Sequence, residues 1–163
     1  MKMLRQFNLN SVLIWAGFYA STCIAAAGAF WFQGDLNANG WIAPAFAPPA
    51  WLFGPVWTTL YLLISTSAYL LVSNRQDRLL GLALTLWCLQ MTANTLWTPV
   101  FFGAFDLAGA LFISCILWLS ISSYILVSFK INRTACYLFI PYWVWVSFAT
   151  ILNYGYLKLN PTT

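Results

Sequence analysis

Apolar and polar positions alternate on a long scale in this chain. Five apolar blocks, 9–32, 49–72, 79–101, 107–129 and 135–157, are separated by polar breaks that are short except for the first, 33–48. Each block meets the roughly 20 residues an α-helix needs to cross a bilayer core. The pattern predicts an all-α fold, an integral membrane bundle of five transmembrane helices forming one domain over 1–163. The first block follows a basic start, MKMLRQFNLN, as a signal peptide would. Small residues around Ser21 to Ala27 even imitate a cleavage site. The block is nevertheless longer than a signal-peptide core of about 7–15 residues, so it is read as a retained first span.

Inside the blocks the polar positions have a helical period. Residues four apart share a helix face. That spacing links Trp57, Tyr61 and Ser65 on the second span, Gln90, Asn94 and Thr98 on the third with Trp97 alongside, and Trp145, Ala149 and Asn153 on the fifth with Tyr142 beside the first. An amide in a bilayer must be paired, so Gln90, Asn94 and Asn153 are expected to point into the bundle. The plain structural reading is interhelical glue, worth about 1 kcal/mol each. Three ridges of one character also suit a pocket with flat aromatic walls and a few donors, for a large, planar, mostly apolar ligand.

Composition agrees with a membrane protein. Hydrophobic residues make up 62% and charged residues 6%, against about 25% charged in a soluble domain. Charges fall between the blocks. Lys2, Arg5, Arg75, Arg78, Lys130 and Arg133 collect on one side and only Lys158 on the other. The positive-inside rule then puts the N-terminus in the cytoplasm, and the C-terminus opposite, if the setting is a bacterial inner membrane. Topology thus accounts for the net charge of +4, and nothing in it signals nucleic acid. Trp31, Trp41, Trp51, Tyr142 and Tyr156 lie where span ends are expected, the place of an interfacial belt. Trp57, Trp87, Trp97, Trp118 and Trp145 lie deeper.

Candidate chemistry is sparse. The chain has no His and no Glu, and Asp35, Asp77 and Asp106 are far apart. No metal site, Ser-His-Asp triad or paired carboxylate acid is expected, and no catalytic residue is named. Cys23, Cys88, Cys115 and Cys136 are scattered and read as small hydrophobes. With no charge deep in any span, an ion or proton pathway is disfavoured. Ala16, Ala20, Ala104, Ala108 and Ala110 permit close helix contact and a homodimer, without fixing its face.

Three segments then carry a resemblance. PPAWLFGPVWTTLY from Pro48, NTLWTPVFFGAFD from Asn94 and PYWVWVSFATILNYGYLKLN from Pro141 resemble motifs of the translocator-protein family, also called TspO or the peripheral benzodiazepine receptor. The likeness covers nearly the whole chain. It implies a five-helix bundle, often dimeric, that binds protoporphyrin, haem, sterols and benzodiazepine-site ligands, with no obligatory cofactor and the ligand lying under the first loop. Carried over by motif, the implied pocket residues are Trp57, Tyr61, Asn94, Trp97, Thr98, Trp145 and Ala149; the ridges add Tyr142. The family's sterol motif matches Leu152, Tyr154 and Lys158, a weak pattern whose plain reading is an interfacial helix end.

One element departs from the family. Its W-Y-x-x-L-x-K-P stretch is replaced here by DLNANGWIAP, which keeps Pro44 but lacks the Trp-Tyr pair and the Lys. Tryptophans in this region are linked in the family with porphyrin breakdown. The reading is therefore a membrane receptor, sensor or carrier for porphyrins and other lipophiles such as sterols. The alternatives are a light- and oxygen-dependent porphyrin-degrading enzyme, or a transporter of the same ligands. The sequence offers no coupling-ion site and no clear inverted repeat for transport.

Overall fold

The computed structural model describes residues 9–31, 40–72 and 77–161. Lys2, Arg5, Asp35, Arg75 and the side chain of Trp31, all used in the sequence reading, lie outside the described residues. Every regular element among the described residues is helical: α1 (Leu9–Trp31), α2 (Phe53–Val72), α3 (Leu80–Thr98), α4 (Leu107–Ile131) and α5 (Arg133–Leu159).

Local chemistry sets the helix ends. Pro49 is extended and opens a single 3₁₀ turn, Ala50–Leu52, that runs into α2. Pro55 then sits in the first turn of α2, where its missing N–H breaks no helical bond. The apolar block predicted to run to residue 101 stops being α-helical at Thr98, because Pro99 cannot donate to the ladder. The chain widens there into a π turn, Pro99–Gly103, closed by Ala104 N–H donating to Pro99 O at 2.8 Å. Phe105 follows at φ 56°, a left-handed conformation rare for an aromatic residue. Asp106 restarts the helix, its Oδ1 accepting from Gly109 N–H at 2.8 Å. Asn132 alone separates α4 from α5: its N–H closes α4 on Ser128 O, and its side chain accepts from Ala135 N–H.

The helices pack in a ring, in the order α1, α2, α5, α4, α3 and back to α1. Polar side chains tie the neighbours. Trp15 Nε1 donates to Thr66 Oγ1, and Thr22 pairs with Ser65, across α1 and α2. Ser67 bonds Tyr124 Oη and Ala135 O. Trp118 and Trp143 donate to Ser147 and Ser122 in a reciprocal exchange between α4 and α5. The core has two parts. The larger runs along the ring interior around Ile64, Leu71, Ile121, Tyr124 and Phe139. The smaller lies at one end, around Trp41, Phe101, Leu107, Leu152 and Tyr156.

Three helical stretches are long and apolar enough to cross a membrane by length and composition: Ala50–Val72, Leu107–Ile131 and Arg133–Leu159. Five such spans were predicted. The shortfall on α3 comes from Gln90, Asn94 and a run of threonines, which lower its hydropathy. Gln90 and Asn94 are buried, and Thr85, Thr92 and Thr95 return their hydroxyls to carbonyls one turn back. On α1 the apolar stretch among the described residues is Val12–Cys23.

Candidate functional site

The predicted ridges of α2, α3 and α5 meet through a chain of hydrogen bonds. Tyr61 Oη donates to Asn94 Oδ1 at 3.1 Å, and Asn94 Nδ2 donates to Tyr142 Oη at 3.2 Å. Tyr142 Oη in turn donates to Gln90 Oε1 at 2.9 Å. All four residues are buried, Tyr142 and Gln90 completely. The helical period explains the convergence: one residue per turn on each of three helices faces the same point in the ring. Trp57, one turn before Tyr61, lays its ring against Tyr61 at 5.3 Å and Tyr142 at 6.1 Å. Trp57, Tyr61, Asn94 and Tyr142 thus form one contiguous group.

The other predicted residues sit around it. Trp145, one turn beyond Tyr142, packs between Phe53 and Phe148, and its Nε1 is buried without an acceptor. Trp97 belongs to the smaller core, stacked on Phe101 at 4.7 Å with its Nε1 donating to Asn153 Oδ1 at 3.1 Å. Asn153 completes its pairing by donating to Leu107 O. Thr98 is buried and Ala149 half-buried. The three sterol-motif residues do not share a face. Leu152 is buried in the smaller core, whereas Tyr154 and Lys158 are exposed on the outer side of α5.

The segment 40–49 covers this end of the bundle. Gly40 starts it at φ 66°, where a side chain would be strained. Trp41 is buried edge-on to Phe101 and Phe105 and against Tyr156. The carboxamide of Asn160 then clamps the next residue on both sides: Ile42 N–H donates to Asn160 Oδ1 at 2.9 Å, and Asn160 Nδ2 donates to Ile42 O at 3.1 Å. Pro44 rests on the backbone of α5 at Gly155, where a Cβ would come within 2.8 Å of its ring. Phe46 stacks edge-on to Phe148, which touches Trp145. The covering segment therefore reaches the candidate site through two rings.

Sequence reasoning placed Gln90 on a ridge without assigning it to the site, and missed Asn160, Gly155 and the Phe46–Phe148 bridge. A glycine inside a helical pattern was an available signal of close packing at Gly155. Nothing local marks Asn160, whose partner lies 118 residues away.

The family model described as TspO/MBR family matches residues 12–159. The chain belongs to the TspO/MBR family. Among its relatives, Protein CrtK of Rhodobacter capsulatus is 37% identical over 145 residues, covering 88% of this chain and 90% of that protein. The Tryptophan-rich sensory protein of Cereibacter sphaeroides is 36% identical over 151 residues, covering 90% and 92%. The human Translocator protein is 29% identical over 140 residues, covering 84% and 79%. This TspO/MBR chain is an integral membrane protein, with three helical stretches whose length and composition suit a membrane. The family match includes the segment around Trp41, which the structure seats as a buried anchor.

Proposed function

We propose that this protein is a five-span membrane receptor, sensor or carrier that binds a large, planar, lipophilic ligand of the porphyrin class. The ligand lies among α2, α3 and α5 beneath the segment 40–49. The observation that carries this reading is the meeting of Tyr61, Asn94 and Tyr142 in one hydrogen-bonded chain, with Trp57 against two of them. Flat aromatic faces suit a planar ring, and a few fixed polar groups suit its orientation. A relative's name, Tryptophan-rich sensory protein, favours sensing.

Two further points belong to the same proposal. Exposed Arg78, Lys130 and Arg133 lie at the end opposite Lys158, which favours a cytoplasmic placement of the former by the positive-inside rule. The outward pair Tyr154 and Lys158 is an interfacial helix end, and a sterol would meet it from the lipid side.

The test is a titration of the protein in lipid nanodiscs with protoporphyrin, followed by tryptophan quenching. Saturable quenching is expected, weakened about fivefold or more by Asn94→Ala, since the lost amide leaves Tyr61 Oη unpaired and takes from Tyr142 Oη the donor that fixes it. Absence of saturation, or identical affinity in the variant, contradicts the proposal.

A further inference from the structure

Among the described residues, three buried side-chain N–H groups have no acceptor: Trp87 Nε1, Gln90 Nε2 and Trp145 Nε1. A buried polar group left unpaired costs about 1–3 kcal/mol, and folded proteins keep few of them. Here the imbalance has one sign. Among the described residues, every buried side-chain polar atom without a partner is a donor. The hydrogen-bond chain adds to this. Each link runs from Tyr61 toward Gln90, so the spare donor, Gln90 Nε2, falls at the end farthest from the covering segment. Trp87 stands one turn further along the same face of α3, 6% exposed, its ring edge-on to Phe18 of α1. An amide can rotate to offer its oxygen, but an indole only donates.

Charge narrows the occupant. Among the described residues Arg78, Lys130, Arg133 and Lys158 are all exposed at helix ends, so the interior offers no cation. A carboxylate placed there would be an uncompensated buried charge, whereas a carbonyl oxygen needs only the donors already present.

From this we infer that Gln90 Nε2 and Trp87 Nε1 form a deep subsite that takes an uncharged carbonyl oxygen, as in an ester, ketone or amide, and rejects a carboxylate. The inference rests on the binding reading above and names the ligand chemistry of that site's inner end. An acid-bearing ligand then keeps its charged groups toward the membrane surface.

Three porphyrins sharing one macrocycle test it in nanodiscs by tryptophan quenching: octaethylporphyrin, which lacks carbonyls; protoporphyrin dimethyl ester; and protoporphyrin itself. The ester is expected to bind about tenfold more tightly than either of the others, about 1.4 kcal/mol. Trp87→Phe keeps an aromatic ring and removes the N–H, and should cut the ester's advantage over octaethylporphyrin to about threefold or less. Gln90→Met is the second variant and should act in the same direction. No ester advantage in the unaltered protein overturns the inference. So does full retention of that advantage in both variants, or a free acid that binds as tightly as the ester. If none of the three binds saturably, the binding site itself is refuted and the subsite falls with it.

Discussion

Tyr142 is the residue on which the interior turns. Its hydroxyl accepts from Asn94 and donates to Gln90, while its ring contacts Trp57 and Phe139. Removing that hydroxyl strands two buried partners, whereas removing the Tyr61 hydroxyl strands only Asn94 Oδ1. Tyr142→Phe should therefore destabilise by about 1–3 kcal/mol and Tyr61→Phe by about 0.5–1.5 kcal/mol. Thermal unfolding in detergent measures both, and equal shifts or a reversed order would rule out the directional chain. At this scale much was legible from sequence, because spacing alone assigns Tyr61, Asn94 and Tyr142 to polar or aromatic helix faces. Which residue bonds which was not legible. Periodicity gives the angle of a side chain around its own helix, not the height or identity of its neighbour across the ring. The sterol motif shows the converse. Its residues follow a linear order, but the helical turn sends Leu152 inward and Tyr154 and Lys158 outward.

At the scale of elements, the covering segment 40–49 is held by side chains from distant parts of the chain. Asn160 replaces the strand partner that Ile42 would otherwise need, pairing both its N–H and its C=O. Asn160→Ala should speed amide hydrogen exchange in a peptide spanning 40–49 by about fivefold, the equivalent of one hydrogen bond of about 1 kcal/mol. Asn160→Asp, which keeps the acceptor for Ile42 N–H and loses the donor to Ile42 O, should fall between. Unchanged protection in both would mean that Trp41 and Pro44 hold the segment without the clamp. Proline chemistry made the start of α2 readable. The early end of α3 was readable in principle from Pro99, but the apolar run through Phe101 and Phe102 masked it.

For the whole molecule, the five apolar blocks correspond to five helices, yet hydropathy and fold part company on α3. Its polar residues are buried in the ring or satisfied within the helix, so a helix that reads as weakly apolar still forms part of the bundle. The closed order α1, α2, α5, α4, α3 brings the ridge of α5 to that of α2 and, across the ring, to α3. Sequence order alone would have made α2 and α3 the chief neighbours. This topology makes a prediction that separates the interior from the outer seam. Trp57 and Trp145 belong to the site, whereas Trp118, bonded to Ser147, belongs to the α4–α5 seam. The decisive measurement is protoporphyrin affinity in nanodiscs for Trp57→Phe, Trp145→Phe and Trp118→Phe. Affinity should fall about tenfold in the first two, about 1.4 kcal/mol, and stay unchanged in the third. Equal affinity in all three, or a loss confined to Trp118→Phe, would contradict a binding site among α2, α3 and α5.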